Sequence, residues 1–272
     1  MKAFKALLLS VFIIISLIFT SQAKSSEFDY QPYAGILKKY VHEGKIVKGI
    51  KLNVVDYEDF YRESKDPSSD YARYLKSLSR FNPADLTSKN DRIAFWINAY
   101  NLGAIKMILD HYPVDSIRSI KISFFRNPWK KKILNINGRL YSLYEIEHEI
   151  LLGKYKAKMA HFAIVCASLS CPDLSKEVYL GETLTSQLER QARLYLNNPQ
   201  KGVLIKRDEN KVFVSKIFKW DKKSFGAGKK DIIPFILPFI EKEEDINYLE
   251  EGSYKIHFLD YDWDLNAFKS VK

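Results

Sequence analysis

Apolar residues recur at helical spacing through most of the chain. The pattern predicts helices over 33–41, 57–64, 70–78, 92–109 and 183–197, a helix from 142 to 152 and helical tendency in 224–238. Several N-cap side chains in 87–91 precede the helix at 92–109, which is apolar on nearly every face. We therefore expect this helix to be buried at the centre of the fold.

Shorter apolar runs between turn signals predict strands. They lie at 160–165, 203–205, 212–214 and 253–259, with a hairpin over 132–141 that turns at Asn137-Gly138. Gly44 and Gly49 bracket a stretch that we interpret as rich in turns. We expect a single α+β domain, in which N-terminal helices and the buried central helix pack on a small, mostly antiparallel sheet.

The N-terminus has the pattern of a secretory signal peptide. Lys2 and Lys5 precede an apolar run over 6–19, and small residues stand at Ser21 and Ala23. The alternative is an uncleaved membrane anchor, but a spanning helix needs about 20 apolar residues. We predict a signal peptide over 1–23 and a mature domain over 24–272, exported to the periplasm or secreted, with no stable membrane span after cleavage.

Charge narrows the range of partners. The formal charge is +10, and it falls to +8 without the predicted signal peptide. The densest basic cluster is Arg126 with Lys130-Lys131-Lys132, around Trp129. In an exported protein such a cluster faces an anionic envelope polymer or is a solvated loop, and we expect no nucleic-acid partner.

The segment from His161 to Pro172 carries the strongest candidate chemistry. A strand over 161–165 would place His161 on the face of a sheet just before Cys166 and Cys171. If Pro172 begins a helical turn, the helix dipole lowers the pKa of the preceding thiol, and the histidine accepts its proton. We therefore predict a cysteine–histidine site with Cys171 as nucleophile, Cys166 as the second choice and His161 as base.

Two alternatives for the cysteines stay open at this point. An oxidising compartment favours a disulfide between Cys166 and Cys171, and free cysteine is also often simply buried. The orienting or oxyanion-stabilising residues would be Glu147, His148 or Asn98. Glu147 and His148 are adjacent on the helix predicted to open at a Ser142–Glu145 capping box, so we do not expect them to share a face.

Other sites lack their sequence patterns. The sequence has no pair of histidines at i and i+4, so we predict no metal site. It also has no glycine-rich phosphate-binding loop, so we predict no cofactor. Gly-x-Ser-x-Gly, which marks serine esterases, is absent too. Ser215 and Asp221 flank Trp220, and nothing local makes them part of a triad.

Five motifs, in order, resemble one known family. They are Arg92-Ile-Ala-Phe-Trp-Ile-Asn-Ala-Tyr-Asn101, Ser142-Leu-Tyr-Glu-Ile-Glu-His148, His161 through Pro172, Val214-Ser-Lys-Ile-Phe-Lys-Trp220 and Tyr261-Asp-Trp-Asp-Leu-Asn266. This set, a motif core over 92–266, resembles the domain-of-unknown-function 547 family (DUF547). One departure is Val165, where the family often has Asn beside the first cysteine. The resemblance implies a fold distantly similar to papain-type and transglutaminase-type cysteine enzymes.

Two functions follow as hypotheses. The first is a cysteine-dependent hydrolase or acyl-transferase that acts on a peptide or amide substrate. The second is a non-enzymatic envelope binding or scaffold domain in which a Cys166–Cys171 disulfide closes a loop.

Overall fold

The structure is a computed structural model that describes residues 28–125, 127–226 and 228–270. The predicted signal peptide over 1–23 and Arg126 of the basic cluster lie outside the described residues. The described helices are α1 (Gln31–Tyr40), α2 (Tyr57–Glu63), α3 (Asp70–Arg80), α4 (Lys89–Leu109), α5 (Leu184–Leu196), α6 (Ile217–Trp220), α7 (Lys222–Phe225), α8 (Lys229–Ile236) and α9 (Glu243–Glu251). A π-helix spans Glu145–Lys154, and a 3-10 helix spans Lys158–Phe162.

The strands form small sheets. They are β1 (Val41–Val47), β2 (Ile50–Val55), β3 (Lys132–Ile136), β4 (Arg139–Ser142), β5 (Val203–Lys206), β6 (Lys211–Val214) and β7 (Lys255–Phe258). β1 and β2 form one antiparallel hairpin, and β3 and β4 form another. In the sheet ordered β5-β6-β7, β5 and β6 are antiparallel and β6 and β7 are parallel. The predicted α+β class is confirmed. The described strands form three separate small sheets, mostly antiparallel, and not the one small sheet that we expected.

Helix α4 is the centre of the larger core. Its N-terminus is closed by a capping box, in which the Asp91 amide donates to Ser88 Oγ at 2.9 Å and the Ser88 amide donates to the Asp91 carboxylate. Nearly every side chain from Ile93 to Leu109 is buried, against the N-terminal helices and strand β3. The prediction of a buried central helix is therefore confirmed.

A second apolar cluster lies between α5, the β5-β6-β7 sheet and α8. Phe162 is fully buried in it, with its ring 6.0 Å from that of Tyr195 and 6.1 Å from that of Phe235. Because large aromatic rings bury much apolar area, these contacts fix the backbone beside Phe162. They therefore also fix the position of its neighbour, His161.

The hairpins show where turn signals succeeded and failed. Asn137 (φ 50°) and Gly138 (φ 76°) form the predicted two-residue turn between β3 and β4. The interpretation of the stretch around Gly44 and Gly49 as rich in turns was wrong, because Val41–Val47 forms β1 and Ile50–Val55 forms β2. Its glycines serve the hairpin: Gly44 (φ 64°) lies within an irregularity of β1, and Gly49 (φ 77°) completes the turn.

Among the residues that the structure describes, no helix is both long enough and apolar enough to traverse a bilayer.

Candidate functional site

The segment before Cys166 is not the predicted strand. Residues 158–162 form a 3-10 helix, and the amides of Ala163 and Ile164 both donate to the Ala160 carbonyl at 2.9 Å. A short apolar run has no periodicity that distinguishes a buried strand from a buried turn of helix, which explains the error. His161 therefore lies on a 3-10 turn and not on the face of a sheet.

Asn101 of α4 takes the place of a strand partner for this segment. Its Nδ2 donates to the Ala163 carbonyl at 2.9 Å, and its Oδ1 accepts from the Val165 amide at 2.8 Å. Asn101 is buried, so these bonds satisfy two main-chain groups in the interior. The central helix thereby fixes the chain that leads into Cys166.

The loop from Cys166 to Cys171 lies against the C-terminal segment of the described chain. The Leu169 amide donates to the Asp264 carbonyl at 2.9 Å, and Ser168 forms a bridge with Leu265. Within the loop, the Cys171 amide donates to the Ser168 carbonyl. The C-terminal motif over 261–266 thus supports the cysteine loop, which gives that motif a structural role.

The prediction that Pro172 begins a helix was wrong. Residues 172–175 have no helical structure, so no helix dipole acts on Cys171. A proline fits equally well in an extended segment, because its fixed φ suits both conformations. The segment is held instead by Asp173, whose Oδ1 accepts from Lys201 Nζ at 2.6 Å and from the Asn53 amide at 3.0 Å.

Cys166 and Cys171 form a disulfide, with their Cα atoms 6.4 Å apart. Both residues are mostly buried, with exposures of 8% and 4%. The Cys166 amide donates to Cys171 Sγ at 3.1 Å. The hydroxyl of Tyr261 lies 3.1 Å from Cys171 Sγ and 3.4 Å from Cys166 Sγ. Burial raises the pKa of Tyr261, so its hydroxyl stays protonated and can donate.

His161 is held by a carboxylate from a distant part of the chain. Its Nε2 lies 2.8 Å from Asp221 Oδ2, and Ser224 Oγ donates to the same carboxylate oxygen. The hydrogen bond from His161 lowers the pKa of Asp221 to about 2, with further help from Ser224. The carboxylate is therefore ionised at neutral pH and orients the imidazole.

The π-helix brings Glu147 and His148 to the same site. Glu147 Oε1 lies 3.9 Å from His161 Nδ1, and Glu147 Oε2 accepts from the Tyr100 hydroxyl at 3.2 Å. The ring of His148 packs 4.6 Å from that of Tyr144. Glu147 and His148 both line one cleft, and the segment that carries them is a π-helix and not the predicted α-helix.

The predicted capping box at the start of this helix is present. The Glu145 amide donates to Ser142 Oγ at 3.2 Å, and the Ser142 amide donates to Glu145 Oε2 at 2.8 Å. Burial opposes ionisation of Glu145, but hydrogen bonds from Lys132 and Ser142 outweigh it and lower its pKa to about 2. The cap fixes the start of the element that carries Glu147.

These side chains converge on a cleft of about 320 Å³. Of the predicted site residues, Glu147, His148, His161, Cys166 and Cys171 line it. Its other walls are mainly aromatic. The lining aromatic side chains are Tyr100, Trp129, Tyr144, Trp220, Tyr261 and Trp263. The cleft therefore combines two sulfurs, a carboxylate-bound imidazole and apolar walls, as ligand sites typically do.

Asn98 does not reach this cleft, so its predicted role there was wrong. It is buried, its Nδ2 donates to the Tyr179 carbonyl at 2.8 Å, and its Oδ1 accepts from the Tyr179 amide at 3.0 Å. Both functional ends of the amide are used by one main-chain residue. Asn98 thus fixes the segment before α5, while Asn101, one helical turn later, fixes the approach to Cys166.

Sequence reasoning missed the carboxylate and the aromatic walls of the site. Asp221 lies 60 residues from His161 in the chain, and no local spacing links them. Tyr261 lies 90 residues from Cys171. The available signal was the pairing of aromatic and acidic residues in Trp220-Asp221 and in 261–264.

No candidate metal centre emerges from the residues that the structure describes. Among them, no group of three or more His, Cys, Asp or Glu side chains is arranged to hold an ion.

Comparison with known proteins supports the motif resemblance. Residues 83–196 match the model of the family described as "Protein of unknown function, DUF547", which confirms the predicted resemblance. No curated protein and no solved structure matches the chain. The likeness to papain-type and transglutaminase-type enzymes stays a prediction.

Proposed function

We propose that the protein is an exported, thiol-dependent hydrolase or acyl-transferase that acts on a peptide or amide substrate. One observation supports this proposal above all: the sulfurs of Cys166 and Cys171 and the His161–Asp221 pair face the same cleft. A nucleophile, a base and a group that orients the base are the components of covalent acyl transfer.

Cys171 is the better nucleophile of the two. Its sulfur accepts a hydrogen bond from the Cys166 amide and lies 3.1 Å from the Tyr261 hydroxyl. Two hydrogen-bond donors would therefore stabilise a thiolate at Cys171. Cys166 Sγ has hydroxyl neighbours, Ser168 Oγ at 3.3 Å and Tyr261 at 3.4 Å, but no main-chain donor among these contacts. The thiolate is the reactive form, so these donors favour Cys171.

The paired sulfurs must first be reduced. A dithiol reductant would donate two electrons and two protons, so that the disulfide becomes two thiols and the reductant becomes a disulfide. In the reduced protein, His161 takes the proton of Cys171 while Asp221 holds Nε2. The free nitrogen is Nδ1, which lies 3.9 Å from Glu147 Oε1 and so has no short bond to it.

Acyl transfer would then follow in two steps. The Cys171 thiolate attacks the substrate carbonyl, the carbon–nitrogen bond breaks, and His161 returns its proton to the leaving amine. His161 next deprotonates water or an acceptor amine, which attacks the thioester and releases Cys171. Glu147 lies beside Nδ1 and would stabilise the imidazolium between these steps.

Alkylation after reduction tests the nucleophile. The reduced protein is freed of reductant and treated with iodoacetamide at pH 6, where an ordinary thiol is less than about 1% ionised. We expect one rapidly modified site, Cys171, identified by peptide mass. Cys171→Ser should abolish the rapid reaction, Cys166→Ser should retain it, and His161→Gln and Asp221→Asn should slow it.

A matched control separates this effect from general exposure. His257→Gln changes a histidine that lies outside the cleft, on β7, and should leave the rate unchanged. Equal rates for Cys166, Cys171 and a free cysteine in solution would contradict the proposal. So would an unchanged rate in His161→Gln.

The observed Cys166–Cys171 disulfide favours the second candidate, a binding or scaffold domain of the envelope. In that case the bond would resist reduction, and the protein would keep its melting temperature and its lack of thiol reactivity under mild reductant. Intact mass before and after reductant distinguishes the two states by two hydrogens.

A further inference from the structure

A strongly basic loop lies beside the cleft, and the proposed reaction makes no use of it. Residues 116–132, called the basic loop here, contain six lysines and arginines and no acidic residue. Lys132 pairs with Glu145, and Lys131 Nζ lies 2.8 Å from His111 Nε2. Lys121 Nζ donates to the Pro113 carbonyl at 3.2 Å, and Lys130 Nζ lies 5.4 Å from the centre of the Tyr144 ring. Lys121 and Lys130 are exposed.

The described parts of the basic loop, 116–125 and 127–132, are anchored at several points. Ile117, Ile122 and Pro128 are buried and anchor it to the core. The Ser119 amide donates to the Ser116 carbonyl at 3.0 Å, and Ser116 Oγ donates to the Trp263 carbonyl at 2.7 Å. These hydrogen bonds hold the turn at 116–119, and the buried residues Ile122 and Pro128 lie on either side of Phe124 and Phe125 in the chain.

Three large apolar side chains project from this anchored turn. Ile120 is 63% exposed, Phe124 is 83% exposed and Phe125 is 86% exposed. The two phenylalanine rings contact each other at 5.4 Å, edge to face. Monomeric soluble domains rarely leave neighbouring phenylalanines in water, so such a feature marks an interaction surface.

We propose that the basic loop docks on an anionic lipid membrane, with Ile120, Phe124 and Phe125 entering the headgroup region. The apolar side chains would contact the acyl boundary of such a surface, and the lysines between them would contact its anionic headgroups. A soluble anionic polymer would neutralise Lys121 and Lys130 but would leave the phenylalanine rings in water. The exposed rings therefore favour lipid over polymer.

The basic loop also borders the candidate cleft. Asn127 and Trp129 belong to both, and the Arg118 guanidinium lies 4.9 Å from the ring of Trp263 in the cleft wall. A docked protein would therefore open its cleft next to the lipid surface. Docking itself does not depend on the proposed reaction.

Vesicle co-sedimentation tests the proposal. The experiment uses the chain that starts at Lys24, which contains every residue that the structure describes and lacks the apolar run at 6–19. Vesicles of phosphatidylcholine, with and without phosphatidylglycerol, are compared at low and high salt. We expect binding to the anionic vesicles, weakened by salt. Phe124→Ser/Phe125→Ser should weaken it at least about tenfold.

The matched control is a second exposed isoleucine. Ile46 on β1 is 63% exposed, as Ile120 is, so Ile46→Ser should leave vesicle binding unchanged while Ile120→Ser weakens it. Retained melting temperatures show that the variants are folded. Absence of wild-type binding at low salt would overturn the proposal. So would a Phe124→Ser/Phe125→Ser variant that binds as wild type does, because binding would then be purely electrostatic, as for a soluble polyanion.

Discussion

The ion pair between Asp173 and Lys201 offers the sharpest test of how the cysteine loop is held. The side chain of Lys201 has no exposed surface, and its Nζ lies 2.6 Å from Asp173 Oδ1. Burial lowers the pKa of Lys201, and the carboxylate opposes this effect. Asp173→Ala would leave a buried ammonium without its anion and the Asn53 amide without its acceptor.

Two estimates limit the loss of unfolding free energy that we expect for Asp173→Ala. Removing one partner of a buried ion pair costs about 3–5 kcal/mol. Lys201 can avoid the cost of an unpaired buried charge by losing its proton. For an ordinary lysine pKa of 10.5, this deprotonation costs about 5 kcal/mol at pH 7. We therefore expect Asp173→Ala to lower the free energy of unfolding by about 4 kcal/mol. For a domain of this size the melting temperature would fall by about 8–16 °C.

Urea unfolding of a double-mutant cycle measures the effect. Lys201→Met removes the buried charge together with its demand for a partner, so Asp173→Ala/Lys201→Met should be more stable than Asp173→Ala alone. A loss below about 1 kcal/mol in Asp173→Ala, or a double variant less stable than that single one, would refute the reasoning.

Three further outcomes are expected. Asn101→Ala should lower the free energy of unfolding by about 3 kcal/mol in urea, because two buried main-chain groups lose the amide that holds them; a loss below about 1 kcal/mol would contradict this. The pKa of Asp221 falls from 3.8 to about 2 on folding, so its bond to His161 should stabilise the protein above pH 4 and lose this effect toward pH 2. Melting temperatures of wild type and Asp221→Asn should therefore differ at pH 7 and converge in acid; a constant difference would contradict the assignment. Gly202→Ala would place a Cβ atom against the Tyr195 carbonyl oxygen, closer than van der Waals contact allows, so the melting temperature should fall by several degrees; an unchanged melting temperature would contradict this.

Local signals in the sequence were sufficient for much of the fold. Helix α4 was predictable because its cap residues and its apolar residues all lie within one segment. The β3–β4 hairpin was predictable because Asn137 and Gly138 tolerate the positive φ that its turn requires. In each case the residues that decide the structure are neighbours in the chain.

The errors concern segments whose structure is decided by distant residues. The run at 160–165 has a strand-like composition, but Asn101 supplies its hydrogen bonds from α4 and no neighbouring strand is needed. The segment after Pro172 is held by Lys201 and Asn53, which no local pattern around Asp173 reveals. The composition of a segment does not reveal the tertiary hydrogen bonds that decide its structure.

The same reasoning explains why only half of the candidate site was predictable. Glu147, His161 and the two cysteines lie within 25 residues of one another, inside the segment over 83–196 that matches the family model. Asp221, which holds His161, and Tyr261, which contacts both sulfurs, lie beyond that segment. The matched segment therefore contains the reactive groups without the groups that orient them. A chain that ended after α5 would keep every predicted site residue, yet it would lose the carboxylate that makes His161 a directed base.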